Sequence, residues 1–508
     1  MTLNARLVAL FDLPLAAIAG WLLWRSLGWP LVGDATIFHF IGNQILLGEV
    51  PYRDIFDINM PLVYGLHAAL VLAGGTGDLA WRIFDLSALA LMVLCVCGLL
   101  RPAGWPAAIL AAAMILTVHL LLGAYSAGQR DFLMAIAAVA TAWGAASVAE
   151  NPGPRRAVLF AVGACAMAAA SIKPTGILLL AVPVVTIGHL KLRDLMWTAG
   201  GALSVALAVF GTLALMGGFP AFVAMLFDLL PRYAAISDPP LLAAFAPLPL
   251  LLPLAALAFA AAMSLSRLPT PRLRAMMAIT VFGMIHLIAQ RKGFFYHIYP
   301  LAAGLACWGS WQLARLPAGW ALIFLAATLL ISVSSARKEA VDPPFTELRA
   351  AADMQAALES HLPRGSRVQT LDSDRGAFLA MARADMRQAT PHIQWFSLIT
   401  ADRDERERFL TSLAADPPAG MLLTNDHWPT GEGFDTVDGW PQFKALLALG
   451  YDLSTTGTQD YIAWRLYLRR AATPEGVIQQ RLMRRSPPSK LAWHRQWRHQ
   501  FAPIALRP

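Results

Sequence analysis

Charge is what this chain has least of: of 508 residues only 14% are Asp, Glu, Lys or Arg, while 57% are hydrophobic. Soluble domains carry about 25% charged residues. With a mean hydropathy of +0.54, the composition predicts an integral membrane protein with an all-α polytopic part and a smaller soluble part. Cysteine is scarce as well. The four cysteines, Cys95, Cys97, Cys165 and Cys307, all fall in apolar runs, which excludes a disulfide framework and leaves no zinc-ligand spacing. No glycine-rich loop for nucleotide phosphates is present. The net charge of +8 does not point to nucleic acid either, because residues 471–508 hold seven Lys/Arg against the single acid Glu475. The remainder is nearly neutral.

What is present is a series of apolar runs. The N-terminus begins like a secretory signal, but its apolar character continues from Trp21 to Val32, which predicts an uncleaved first span. Further runs lie near 80–100, 105–122, 132–149, 157–172, 174–190, 195–217, 241–263, 275–289, 299–313 and 319–335, for about eleven spans of ~20 residues. The run Pro61 to Gly75 is shorter and is expected to lie in the interface or dip into the membrane. With a cytoplasmic N-terminus, Arg101, Arg155, Arg156, Lys191, Arg193, Arg267, Arg272, Arg274 and Arg315 fall on the cytoplasmic side, as the positive-inside rule requires. Arg53, Arg130, Lys173, Arg232, Arg291 and Lys292 then violate that rule on the opposite face. Such a set suggests a site that holds an anion such as a phosphate.

The segment Gly33 to Pro61 carries Asp34, Asp54 and Asp57 beside Arg53, at the exit of the first span. Acids kept there point to chemistry. Asp34 also precedes an amphipathic stretch with Ile37, Phe38, Ile41 and Ile45 on one side, so a helix N-cap is the competing reading. Gly128-Gln129-Arg130-Asp131 opens a later span, either as a cap with Arg130 paired to Asp131 or as a site. Lys173-Pro174 interrupts an apolar run, and a snorkelling Lys explains it as well as a site does. Gln290 to Pro300 packs Arg291, Lys292, Tyr296 and His297 between two spans, more than an aromatic belt needs.

In order, these are Asp34, G-x-x-P-Y-x-D from Gly48 to Asp54, N-x-P-L-x-Y from Asn59 to Tyr64, Arg82, Gln129-Arg130-Asp131 and K-G-x-x-Y-H-x-x-P from Lys292 to Pro300. The series, over roughly residues 1 to 335, resembles the GT-C glycosyltransferases. Within them it is similar to the bacterial branch related to protein O-mannosyltransferases and the aminoarabinose transferase of lipid A. The resemblance implies transfer of a sugar from a polyprenyl-phosphate carrier to a glycan, lipid or protein acceptor on the periplasmic face of a bacterial inner membrane, with inversion. Such transfer needs a base and cations for the departing phosphate. Asp34 is the expected base, with Asp54 or Asp57 orienting the acceptor or helping to bind a divalent ion. Arg130, Lys173, Arg291 and Lys292 are candidates for the phosphate. Arg53, Tyr64, Gln129, Tyr296 and His297 are candidates for substrate. No cofactor is required by this reading, and a divalent cation is left open. Asn59-Met60-Pro61 departs from the acidic pair or Lys-Pro-Pro of many relatives, which leaves acceptor and metal open. A surface-polysaccharide polymerase or ligase and a lipid-linked-sugar flippase or transporter are the alternatives. The chain shows neither the long late loop of the first nor the inverted repeat of the second.

The membrane part is expected to span 1–337. Residues 338–470 read as a small extracytoplasmic α/β domain, with a helix near 344–361, strands at 368–371 and 421–424, a helix near 440–449 and an alternating strand at 461–470. Asp372, Asp374, Asp426 and His427 within it are expected in caps and turns. The basic tail 471–508 is expected to rest on anionic lipid or to be disordered.

Overall fold

The computed structural model describes residues 3–151, 155–236, 240–263, 270–338, 345–372, 375–393, 403–427, 431–432 and 434–471. Asp374, the Asp342-Pro343-Pro344 boundary and nearly all of the basic tail lie outside the described residues. The chain forms two compact units, neither continuous in sequence. One comprises Met1–Ala35, Asn59–Thr212 and Ser237–Pro344; the other comprises Thr36–Ile58, Leu213–Ile236 and Phe345–Pro508. Thr36–Ile58 and Leu213–Ile236 thus group with the later part of the chain.

The first unit is helical. Among the described residues six helices are long and apolar enough to cross a membrane: Val8–Gly28, Asp78–Ala103, Arg130–Glu150, Leu192–Leu215, Leu241–Ala262 and Pro271–Gln290. Four shorter apolar helices accompany them, Pro61–Gly74, Trp105–Leu121, Pro174–Ile187 and Ala318–Ser334. The chain is thus a multi-pass membrane protein. At ~1.5 Å per residue, Pro61–Gly74 reaches about 21 Å, short of the ~30 Å hydrocarbon core. Prolines explain where helices tighten. Pro174 opens a 3₁₀ turn, Pro174–Leu180, ahead of Ala181–Ile187. Pro247, Pro249 and Pro253 likewise keep Leu241–Phe245 and Leu248–Leu254 in 3₁₀ form before Ala255–Ala262.

Packing rests on small residues, since lipid tails provide no hydrophobic drive between helices. Helices Arg155–Ala170 and Leu192–Ala206 approach so closely that a Cβ on Gly163 would meet the Thr198 carbonyl at 1.8 Å, and one on Gly201 the Phe160 carbonyl at 1.8 Å.

The bundle separates its cations by end. Arg272, at the start of Pro271–Gln290, donates to Glu150 at 2.7 Å and to the Gly98 and Leu99 carbonyls that finish another helix. Arg130 opens the helix that Glu150 closes, and Lys292 follows the helix that Arg272 opens. About 20 residues, or ~30 Å, therefore lie between the two groups.

The second unit is α/β. Seven strands are described: β1 Arg367–Leu371, β2 Arg387–Gln388, β3 Gly420–Thr424, β4 Asp426–His427, β5 Gly431–Glu432, β6 Tyr451–Gln459 and β7 Ile462–Arg469. The main sheet has the order β2-β1-β3-β7-β6, with β1 parallel to β2 and β3, and β7 antiparallel to β3 and β6; β4 and β5 form a separate ribbon. The central β3 is buried throughout, and β7 alternates as expected, with Ile462, Trp464 and Leu466 inward. Phe409, Leu413, Trp440, Phe443 and Leu446, from helices Arg403–Ala415 and Pro441–Gly450 and the residue before it, cover one face. Asp372 accepts from the amides of Arg375 and Ala377, which fits the expected turn role. Sequence reading missed β2, β6 and the helices Ala377–Arg383 and Arg403–Ala415. Gln44 ties the first-loop segment to the sheet edge: its amide donates to the Met386 carbonyl and its carbonyl accepts from the Gln388 amide, both at 3.0 Å.

Candidate active site

The site of the first unit begins where the chain leaves its first helix. Gly33 turns with φ 61°, and the helix Asp34–Leu46 follows. The Asp34 carboxylate turns away from its own helix to partners elsewhere in the chain. One oxygen accepts from Arg130 Nη2 at 3.1 Å and from the Tyr296 hydroxyl at 3.4 Å. Its side chain remains 34% exposed. Arg130 reaches it from the first residue of Arg130–Glu150 and also donates to Asn59 Oδ1. The buried Tyr64 hydroxyl lies 3.2 and 3.3 Å from the backbone nitrogen and oxygen of Asn59. Asn59 is therefore a partner of Arg130.

Arg130 is not paired to Asp131, as the cap reading had it. The neighbouring Asp131 is completely buried and points to different partners: Lys173 Nζ at 2.8 Å and His286 Nε2 at 2.6 Å. The His286 ring continues to Thr175 Oγ1 at 2.8 Å, and Lys173 also lies 3.5 Å from Gln290 Oε1. Lys173 does not snorkel, because its side chain is only 9% exposed and its ammonium is taken up by Asp131. It also lies 5.5 Å from the centre of the Tyr296 ring. Tyr296, Phe294 and His297 pack ring to ring, and His297 meets His286 edge-on at 6.0 Å.

Lys292 lies in the connection after Pro271–Gln290, where Arg291 and Gly293 both take positive φ. Burial, then the repulsion of Lys173 and Arg130, pushes its ammonium down to about 8. Arg130, Lys173 and Lys292 thus crowd one region with two carboxylates, Asp34 and Asp131, leaving one positive charge in excess. Such a region suits an anion.

The other predicted residues are placed differently. Gln129 donates to the Tyr125 carbonyl beside Arg130. Arg53 and Asp54 belong to the second unit and form a two-point pair with each other at 2.9 and 2.7 Å. Asp54 also accepts from the Val50 amide, closing a turn in which Tyr52 has φ 67°. Asp57 is buried in the same segment, and Arg232 pairs with Asp228 and Glu405. Among the described residues no group of three or more His, Cys, Asp or Glu is set to hold a metal ion.

No family model matches the chain, and no curated protein matches its sequence. Solved structures do match. ArnT from Cupriavidus metallidurans bound to undecaprenyl phosphate superposes with a TM-score of 0.58 at 13% identity, over 89% of this chain and 97% of that one. The apo state of the same protein gives 0.52 at 14%, with equal coverage. The chain has the GT-C glycosyltransferase fold. Within this GT-C fold, sequence reading had picked out Asp34, Arg130, Lys173, Lys292 and Tyr296, which the structure brings together. It had Asn59 and Asp131 only as parts of motifs, with no role of their own, and it missed His286. Lone ionisable residues in apolar helices were the available signal for the last of these.

Proposed function

We propose that this GT-C protein moves a sugar from a polyprenyl-phosphate carrier to an acceptor hydroxyl, with Asp34 as general base. The observation that carries the reading is the difference between its two neighbouring carboxylates. Asp131 is sealed and neutralised by Lys173, whereas Asp34 is held by Arg130 and Tyr296 yet stays one-third exposed. A base has to be reachable by the proton it takes. In the step, the acceptor oxygen gives its proton to Asp34 and bonds to the anomeric carbon. The bond from that carbon to the phosphate oxygen breaks with its electron pair, and polyprenyl phosphate departs. Attack opposite the leaving group inverts the anomeric carbon. Arg130, Lys173 and Lys292 supply the excess positive charge for the phosphate as its negative charge grows. The undecaprenyl phosphate bound to ArnT supports this choice of carrier. We place the site and the α/β unit on the periplasmic side of a bacterial inner membrane, from the distribution of Arg and Lys.

Asp34→Asn and Asp34→Ala test it side by side. Asn keeps the size of Asp and an oxygen that can accept from Arg130 and Tyr296 but cannot take a proton, so a purely structural role predicts an Asn variant that stays active. As a base, Asp34→Asn stays folded and loses roughly two to four orders of magnitude in turnover. An active Asp34→Asn enzyme would move the base elsewhere.

A further inference from the structure

The first two turns of the helix Asp78–Leu100 hold a buried polar cluster that the transfer reaction does not use. Arg82 pairs with Asp85, donates to Ser26 Oγ at 2.6 Å and lies 5.0 Å from the centre of the Trp29 ring. Asp85 is completely buried, accepts from the Gly128 amide at 2.6 Å and has His119 Nε2 3.5 Å away. His119 in turn meets the Tyr299 hydroxyl at 3.0 Å. A buried ion pair is weak evidence for stability, since apolar residues of similar volume often replace one at no cost. The cluster therefore calls for another account.

Its two ends supply one. Gly128 precedes Arg130 by two residues and has φ 57°; a Cβ there would meet Trp81 at 2.1 Å. Turn, amide bond and tryptophan together leave the start of the Arg130 helix one placement. On the other side, Asp78 accepts from the Leu31 amide at 3.0 Å and Arg82 sits against Trp29, just ahead of Asp34. One short stretch, Asp78 to Asp85, thus grips both segments that bring Asp34 and Arg130 together. We propose that Asp85, neutralised by Arg82, is a positioning residue that fixes the Gly128-Gln129 turn and so holds Arg130 at Asp34. The inference rests on the transfer reading of that site.

The test uses two double variants of the full chain, each made with Arg130 present and with Arg130→Ala. Arg82→Gln/Asp85→Asn removes both charges but keeps an acceptor for the Gly128 amide. Arg82→Met/Asp85→Leu removes the acceptor too. Turnover, the donor KM and unfolding in detergent are read for all. The polar double should keep turnover near wild type. The apolar double should fold, raise the donor KM and lose about 10- to 100-fold in turnover, as expected for a reactive group displaced by about 1 Å. With Arg130→Ala it should lose nothing further, because residues acting through one another are not additive. Equal losses in the two doubles, or a loss that adds in full to that of Arg130→Ala, would overturn the proposal. Should the apolar double not fold, Gly128→Ala decides: it leaves the ion pair intact, collides with Trp81, and must show the same non-additivity. Wild-type protein that transfers no sugar from polyprenyl phosphate would instead sink the transfer reading, and the proposal with it.

Discussion

Asp131→Ala and Asp34→Ala remove carboxylates only 97 positions of chain apart in sequence but from very different surroundings. Asp131 has no exposed surface and holds the buried Lys173 ammonium with both oxygens as well as His286. Removing it strands a buried cation, and breaking a buried pair in this way costs about 3–5 kcal/mol. Asp34 makes one charged contact, to Arg130, and is one-third exposed. Arg130 is itself largely buried, but water reaches the pair through Asp34, so losing this part-buried pair costs about 1–2 kcal/mol, between the surface and the fully buried case. The stabilities of the two variants should therefore differ by roughly 2 kcal/mol, read by denaturant unfolding in one detergent at fixed composition. Adding Lys173→Met to Asp131→Ala should recover much of the loss, because the stranded charge is then gone. If the two single variants unfold within about 1 kcal/mol of each other, the assignment of Asp131 as the buried anchor is wrong.

Lys292 gives a pH expectation. Its folded-state value is lowered to about 8, so it carries its charge below that pH and loses it as pH rises through it. Use of the anionic donor, read as kcat/KM, should fall above about pH 8, and Lys292→Arg should move that fall to higher pH; an unchanged profile would remove Lys292 from the phosphate site. In the α/β unit, Glu405 is buried, yet its bond to His392 and the charges of Arg408 and Arg232 outweigh that burial and bring it down to about 2. Its stabilisation, on the order of 3 kcal/mol, is present above the ordinary Glu value and is lost as pH falls from about 4.5 to 2. Glu405→Gln should abolish that dependence, measured by hydrogen exchange of the β3 amides in the full chain, and an unaltered acid profile would refute the linkage.

The sequence alone determined what depends on neighbours along the chain. Apolar runs marked the helices, Pro174 marked the break before Pro174–Leu180, and the alternation of Ile462, Trp464 and Leu466 marked β7, because burial repeats with the period of the local backbone. Motif order, with the cations that break the positive-inside rule, was enough to gather Asp34, Arg130, Lys173 and Lys292 as candidates. It was not enough to say which charge meets which. Adjacent Arg130 and Asp131 could be read as a pair or as a site, but successive residues on a helix point about 100° apart, so one turned to Asp34 and the other to Lys173 and His286. His286 and Asp85 sat unremarked in apolar runs, since a lone ionisable residue names no partner until helices pack. Only tertiary structure decided that the first-loop segment Thr36–Ile58 belongs with the α/β unit, where Gln44 meets the edge strand β2. Those bonds join residues more than three hundred positions apart. Local periodicity carries no information about a contact at that separation.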